Sequence, residues 1–279
     1  MNISPILARL DSEICACHPA RITALVAAIR QHAVDIQAAE HPNVKALRER
    51  LKPSADVTPD GIAIIPVNGV LAQRPDIVEL LYYGAEDTSA IQDMVKSASA
   101  DNAVKGILLK VDSPGGFITG GPETADAVAK AASRKPTVAF TDGMMASLAY
   151  WIGSQASAVI ATRSASVGSI GVFAAHIDAT EFHKAIGMKV EITRNTGGDL
   201  KAAGAFGTSM TEAQRADIQA GVDSTFAAFA KDVRRTRQDV SADSMRGQVF
   251  DGPDAKKAGL IDAVGSLSYA LSRLRGMIG

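Results

Sequence analysis

Three places in the chain carry residue types that together could perform acyl transfer. That chemistry needs a hydroxyl nucleophile, a base to take its proton, and backbone N–H donors for the oxyanion. Asp112-Ser113-Pro114-Gly115-Gly116 directly follows the apolar run Ile107-Leu108-Leu109-Lys110-Val111. Met145-Ala146-Ser147 opens the apolar segment Leu148-Ala149-Tyr150-Trp151-Ile152. Lys201 stands in the small-residue sequence Gly197-Gly198-Asp199-Leu200-Lys201-Ala202-Ala203-Gly204.

Each feature also has a plainer reading. Gly115-Gly116 sits where a buried strand is expected to end, and paired glycines there let a backbone approach a ligand and point amides outward. A simple turn would use the same residues. Ser147 follows an expected strand and Asp142-Gly143, at the first turn of an apolar helix, where a hydroxyl could be presented beside free N–H groups. Serine at that position also serves as an ordinary helix cap. Lys201 is surrounded in sequence by Ala202, Ala203, Ala205 and Phe206. Burial in apolar surroundings brings a lysine toward general-base duty. Asp199, two residues away, argues for a charged, solvated loop lysine instead.

Histidine is the usual rival base. His18, His32 and His41 fall near the N-terminus and His183 in a helical stretch, which leaves His176 near the end of an expected strand. A Ser147/His176 pairing with Asp178 as the acid is the rival dyad, ranked below lysine. Glycine-rich phosphate binding does not apply, because Gly-x-x-x-x-Gly-Lys and a dinucleotide fingerprint after a strand are both missing. The two cysteines, Cys15 and Cys17, stand next to His18, but no second ligand cluster completes a zinc site. They read as free thiols, and no metal or other cofactor is expected.

At 279 residues the chain is long enough to bury a sizeable core. With 29 Lys and Arg against 30 Asp and Glu its net charge is −1, so no broad electrostatic pull toward nucleic acid or anionic membrane follows. The N-terminus lacks a basic start followed by an apolar core, and no segment approaches the roughly 20 apolar residues of a membrane span. A soluble, cytoplasmic protein is the expectation.

The elements that must position the three features follow from periodicity. Residues up to about 51 read as a helical arm, with Ile22, Leu25, Val26 and Ile29 at three-to-four spacing. Pro53, Asp56, Pro59, Asp60 and Gly61 then mark a linker. The chain is thus expected to divide into an arm and linker, 1–57, and a body, 58–279. Strands are expected at 62–67, 104–111, 137–141, 158–161, 169–173 and 190–193. Helices are expected at 88–99, 122–133, 147–155 and 179–186, and from Thr211, as N-cap, to about residue 237. Strands alternating with helices argue for an α/β body on a parallel sheet.

Taken in order, these segments resemble the signal peptide peptidase A family of serine–lysine peptidases. The marks are Val111-Asp112-Ser113-Pro114-Gly115-Gly116, Ala146-Ser147, Val167-Gly168-Ser169-Ile170-Gly171-Val172, the loop of Lys201, and Ala255-Lys256-Lys257-Ala258-Gly259-Leu260-Ile261-Asp262. They run from about residue 61 to about residue 268. The resemblance implies the layered Clp protease/crotonase-like fold of ββα units. It implies Ser147 as nucleophile, Lys201 as general base, Ser169 as the hydroxyl that orients the amine, and an oxyanion hole from the Gly115/Gly116 pair, Gly116 favoured, with the amide of Leu148. A peptide carbonyl would acylate Ser147, and a water activated by Lys201 would release it.

Two departures point within the family. A polar helical arm stands where membrane-bound relatives carry a transmembrane segment, and Leu148-Ala149 follows Ser147 where two glycines are common. Both resemble the phage head-maturation proteases. The implied partners are polypeptides, scaffold and capsid proteins among them, within a homo-oligomer inside a bacterial host cell or phage prohead. A cytoplasmic signal-peptide-peptidase-like protease is the runner-up. A catalytically silent assembly protein on the same fold and an acyl-CoA enzyme of crotonase type rank below both.

Overall fold

A computed structural model describes residues 15–17, 53–75, 79–80, 84–205 and 207–279. Its strands in chain order are β1 (Cys15–Cys17), β2 (Asp56–Val57), β3 (Ile62–Ala72), β4 (Ala85–Asp87), β5 (Gly106–Phe117), β6 (Thr137–Thr141), β7 (Met144–Ala146), β8 (Ala158–Ala161), β9 (Ser166–Gly168), β10 (Val249–Phe250) and β11 (Ala263–Val264). The helices are α1 (Thr88–Ala100), α2 (Gly121–Ala132), α3 (Leu148–Ser154), α4 (Thr180–Ala185), α5 (Glu212–Thr236), α6 (Gly252–Lys257) and α7 (Leu267–Ile278). The succession β3-β4-α1, β6-β7-α3 and β8-β9-α4 is the ββα progression of the expected layered fold.

The long strand β5 organises the body. Its first half, from Ile107 to Lys110, pairs in parallel with both β3 and β6. At Ser113 it turns to a different neighbour, Met145 of β7, and β7 in turn pairs with β9. One strand therefore leads into two sheets, and Ser113, four residues before the end of β5, lies beside β7.

Alternation along the strands separates two apolar layers, as the two-residue period requires. Ile107, Leu109 and Val111 of β5 and Val159 of β8 face the larger core under α1, α2, α3 and α5. Leu108, Val138, Phe140 and Ile160 face a smaller core closed by Ala270 and Leu274 of α7. Helix α5, about 37 Å long at 1.5 Å per residue, starts at a capping box in which Thr211 and Gln214 satisfy each other's backbone N–H groups. Its C-terminal half is fixed where Phe229 stacks on Trp151 at 4.6 Å and Asp232 accepts the indole N–H. Such a stack adds about 1 kcal/mol beyond area burial.

Several expectations change. β3 extends through Pro66 to Ala72, with an irregularity between Asn68 and Val70. β5 does not end before the glycines but runs through them to Phe117. The strand expected at 169–173 lies earlier, at Ser166–Gly168, and 190–193 is not a strand and pairs with none of the described strands. In the expected helical arm, Cys15–Cys17 is a strand on β5. The arm's other residues up to 52 lie outside the described residues, whereas Asp56–Val57, placed in the linker, pairs with β3 of the body.

Candidate active site

Ser147 stands between the last residue of β7 and the first of α3, with φ 55 and ψ −122. Positive φ is costly for a residue with a Cβ, and such conformations persist where the surroundings enforce them. Here the enforcement is visible. The Ser147 N–H donates to the Gly168 carbonyl (2.7 Å), and its own carbonyl accepts the Trp151 N–H (2.9 Å), which starts the helix. A sharp strand-to-helix turn of this kind lifts a side chain out of the ladder and turns it toward the helix N-terminus. The residue is almost fully buried, yet its hydroxyl makes no capping bond. The plain helix-cap reading is thereby removed.

Leu148, completely buried, begins the helix, so its N–H is one of the donors that helix geometry leaves without an intrahelical partner. Its side chain lies against Gly121 at the start of α2, where an added Cβ would come within about the same space as Leu148 Cδ1.

The glycine pair is held from both sides. Ser113 Oγ donates to the Gly69 carbonyl (2.6 Å) and accepts the Gly115 N–H (3.1 Å). Gly115 has φ 94, and a Cβ on Gly116 would overlap the backbone of Leu71. Only glycine fits at Gly116, because β3 passes directly against it. With the Gly115 N–H committed to Ser113, Gly116 is the member of the pair whose amide is not taken by that hydroxyl. Asp112 ties this end of β5 to the start of β7 by accepting the Met144 N–H (3.1 Å).

Ser169 follows β9 as Ser147 follows β7, and it too has positive φ. Its N–H donates to the Gln248 carbonyl (2.6 Å), and the residue is buried. The structure thus places Ser147 and Leu148 after the end of β7, Ser169 after the end of β9, and the glycine pair in β5 two and three residues beyond Ser113, which pairs with β7. Ser113 and Gln248 had not been singled out as site residues. Ser113 stands within the Asp112-Ser113-Pro114-Gly115-Gly116 stretch, whereas nothing in the sequence marks the carbonyl of Gln248.

The Lys201 amine makes no hydrogen bond to Ser147 or Ser169 among the described residues. The residue lies exposed in a turn whose Lys201 N–H donates to the Gly198 carbonyl (3.0 Å). Its turn is anchored by the Asp199 carbonyl, which accepts from Gln214 Nε2 (2.9 Å) in the first turn of α5. Ser169 lines a cavity with Gln219 and Val222 of the same helix, and Gln219 is about 8 Å along its axis from Gln214. The buried setting expected for Lys201 is absent here, although Ala202, Ala203 and Ala205 are half-buried.

The rival dyad fares no better. Asp178 accepts from the Thr180 hydroxyl, the Ser209 hydroxyl and the Thr180 N–H, and these bonds hold its carboxyl down at about 2. None comes from His176, whose two buried ring nitrogens have no hydrogen bond among the described residues. His176 and Asp178 both line a cavity of about 490 Å³ against α5, with Arg215, Ile218 and Val222.

Comparison with known proteins adds an independent line. Residues 129–277, just over half of the chain, match the sequence pattern of Peptidase family S49. Capsid assembly protease C of Escherichia phage lambda is 32% identical over 77% of this chain and 49% of its own length. Head-tail preconnector protein GP5 of Enterobacteria phage P21 is 31% identical over 76% of this chain and 42% of its own. Protease 4 of Salmonella typhi is 30% identical over 80% of this chain and 35% of its own. The chain spans half or less of the length of these curated relatives. Since the matched stretch contains the strand–serine–helix turn and runs through the Ala255–Asp262 mark, the chain belongs to peptidase family S49.

Proposed function

We propose that the chain is a serine endopeptidase in which Ser147 is the nucleophile and Lys201 the general base. The observation that carries this reading is the enforced turn at Ser147, with positive φ, a hydroxyl that caps nothing and the start of α3 beside it. A substrate carbonyl placed against Ser147 Oγ would put its oxygen toward the amides of Gly116 and Leu148. Gly115 contributes by shaping this part of β5, its own N–H serving Ser113. Attack forms the Ser147 Oγ–carbon bond as the base takes the hydroxyl proton. Collapse of the tetrahedral adduct breaks the peptide bond and returns that proton to the leaving amine, and water then releases the acyl group.

This reading requires the exposed Lys201 amine to meet the Ser147 hydroxyl in the acting form. The segment that bears it shows Ile177, Phe182, Ile186, Met188, Ile192 and Leu200 to solvent. Apolar side chains concentrated in one exposed segment favour coverage by another surface, which supports an acting homo-oligomer with Ser169 orienting the lysine amine. Scaffold and capsid polypeptides are the proposed substrates, on the strength of the phage relatives. No helix among the described residues is long and apolar enough to cross a membrane. The Protease 4 relative supports the second reading, a bacterial cytoplasmic protease of the signal-peptide-peptidase kind.

The test uses wild type, Ser147→Ala and Lys201→Ala with a fluorophosphonate and unfolded casein. Intact-mass and peptide mass spectrometry should find one adduct, on Ser147, and casein cleavage in wild type alone. Cleavage by Ser147→Ala at the wild-type rate would refute the assignment.

A further inference from the structure

The edge of Gly115–Phe117 that faces away from β3 is occupied. Cys15–Cys17 lies on it as an antiparallel strand, with Cys15 opposite Phe117, Ala16 opposite Gly116 and Cys17 opposite Gly115. The other edge of the same stretch is taken by Val70 and Leu71. Both rows of backbone groups are thus in use, one by the body and one by a short segment far upstream in the sequence.

The place of this pairing matters because Gly116 lies within it. A polypeptide whose scissile carbonyl reaches Ser147 and the Gly116 amide must run extended along Gly115–Phe117. Strand addition to a sheet edge is a common way to hold an extended peptide, since backbone groups supply the attraction whatever the side chains. Two glycines make this edge nearly bare backbone, which suits recognition of that kind. An edge offers one row of N–H and C=O groups, so it accepts one strand at a time.

We infer that Cys15–Cys17 is a resident pseudo-substrate: the chain's own N-terminal strand holds the edge along which a polypeptide substrate would add, and it must leave before substrate enters. The location of the substrate rests on the function proposed above. The pairing is three residues long, which makes it displaceable. Its residues, Cys-Ala-Cys, are small. Occupation of this kind keeps the strand edge closed to unrelated unfolded chains and opens it to substrates that compete well or to events that pull the N-terminal segment away.

The experiment uses full-length Ser147→Ala, which does not depend on turnover, and fluorescein-labelled, reduced and carboxymethylated casein as the probe. Opposite residues in an antiparallel ladder alternate between exchanging hydrogen bonds and not. Ala16→Pro therefore removes a ladder donor in one phase of that alternation, and the double variant Cys15→Pro/Cys17→Pro does so in the other. The expected result, by fluorescence anisotropy, is casein affinity higher by about tenfold in one of the two, as for an edge open in about a tenth of the parent molecules. Equal affinity in all three chains, or no casein binding by any, overturns the inference. Hydrogen exchange on the Ser147→Ala chain without proline gives a second reading. Saturating casein should leave the amides of residues 115–117 protected while those of 15–17 lose protection, and retained protection at 15–17 overturns the inference. Failure of the catalytic reading is distinguished separately, by a fluorophosphonate that leaves Ser147 of the wild-type chain unmodified.

Discussion

Ser147 and Ser169 occupy equivalent places at the ends of adjacent parallel strands. Ala146 pairs with Gly168, and the residue following each is a serine with positive φ, 55 at Ser147 and 51 at Ser169. The Ser147 N–H donates to the Gly168 carbonyl, so one strand end holds the other in its bend. Two strained serines side by side are an unusual expense for a stable fold, and such strain concentrates where a side chain must be presented.

That strain predicts a trade between stability and activity. The Ser147 conformation, φ 55 and ψ −122, is near the mirror image of ordinary extended backbone, which glycine adopts freely. Ser147→Gly should therefore raise unfolding stability by about 1 kcal/mol while abolishing fluorophosphonate labelling. Chemical denaturation and intact-mass labelling of the same preparation check both halves. A variant less stable than wild type would show that the bend is not strained.

The opposite result is expected at Gly116. A Cβ there would meet the Leu71 backbone, which cannot move aside as a flexible side chain could. Gly116→Ala should cost more than about 2 kcal/mol, in line with overpacking a tight backbone contact, and should remove casein cleavage. Gly198→Ala is the comparison, since a Cβ there meets only the Asn195 side chain. It should stay within about 1 kcal/mol of wild type in urea unfolding.

Asp262 closes the last of the sequence marks, and its work is architectural. It accepts the Arg237 guanidinium (2.7 Å) and the Val159 N–H (2.7 Å), joining the end of α5, strand β8 and the turn before β11. Arg237 is almost completely buried and also donates to the Ala156 carbonyl. Breaking such a pair from one side leaves a buried charge, so Asp262→Ala should destabilise by about 3 kcal/mol. Thermal or urea unfolding would reveal this, and a change below about 0.5 kcal/mol would refute it.

Those residues also mark how far the sequence is legible. The apolar runs at 137–141 and 158–161 become β6 and β8 with the expected bounds, and Thr211 caps α5 as its spacing with Gln214 allows. Local pattern suffices there because burial and capping are encoded by neighbours in the chain. The continuation of β5 through Pro114 and the glycines was not legible, since it depends on Val70, Leu71 and Cys15–Cys17 arriving from elsewhere. The same dependence sets β9 earlier than its apolar run suggests and leaves 190–193 outside the described strands. At the candidate site, the bend at Ser147 depends on the Gly168 carbonyl of another strand, and the exposure of Lys201, on a turn bonded to Gln214, is not legible from its alanine neighbours.

Glu86 supplies a pH dependence with a definite sign. Burial pushes its carboxyl up to about 7, against the smaller opposing effect of the Asn68 N–H that donates to it. The group is raised above its ordinary value of 4.5, so the folded state favours the protonated acid. Its contribution to stability is then fully present below about 4.5 and is lost as pH rises through about 7. The loss is on the order of 3 kcal/mol between those limits. Glu86→Gln keeps an acceptor for Asn68 and cannot ionise, so it should unfold at nearly the same urea concentration at pH 5 and pH 8 if no other group intervenes, whereas wild type should weaken at pH 8. The consequence reaches the site because Asn68 adjoins Gly69, whose carbonyl holds Ser113 and through it Gly115. A wild-type chain and a Glu86→Gln chain with the same pH dependence of unfolding would show that this carboxyl does not carry the effect.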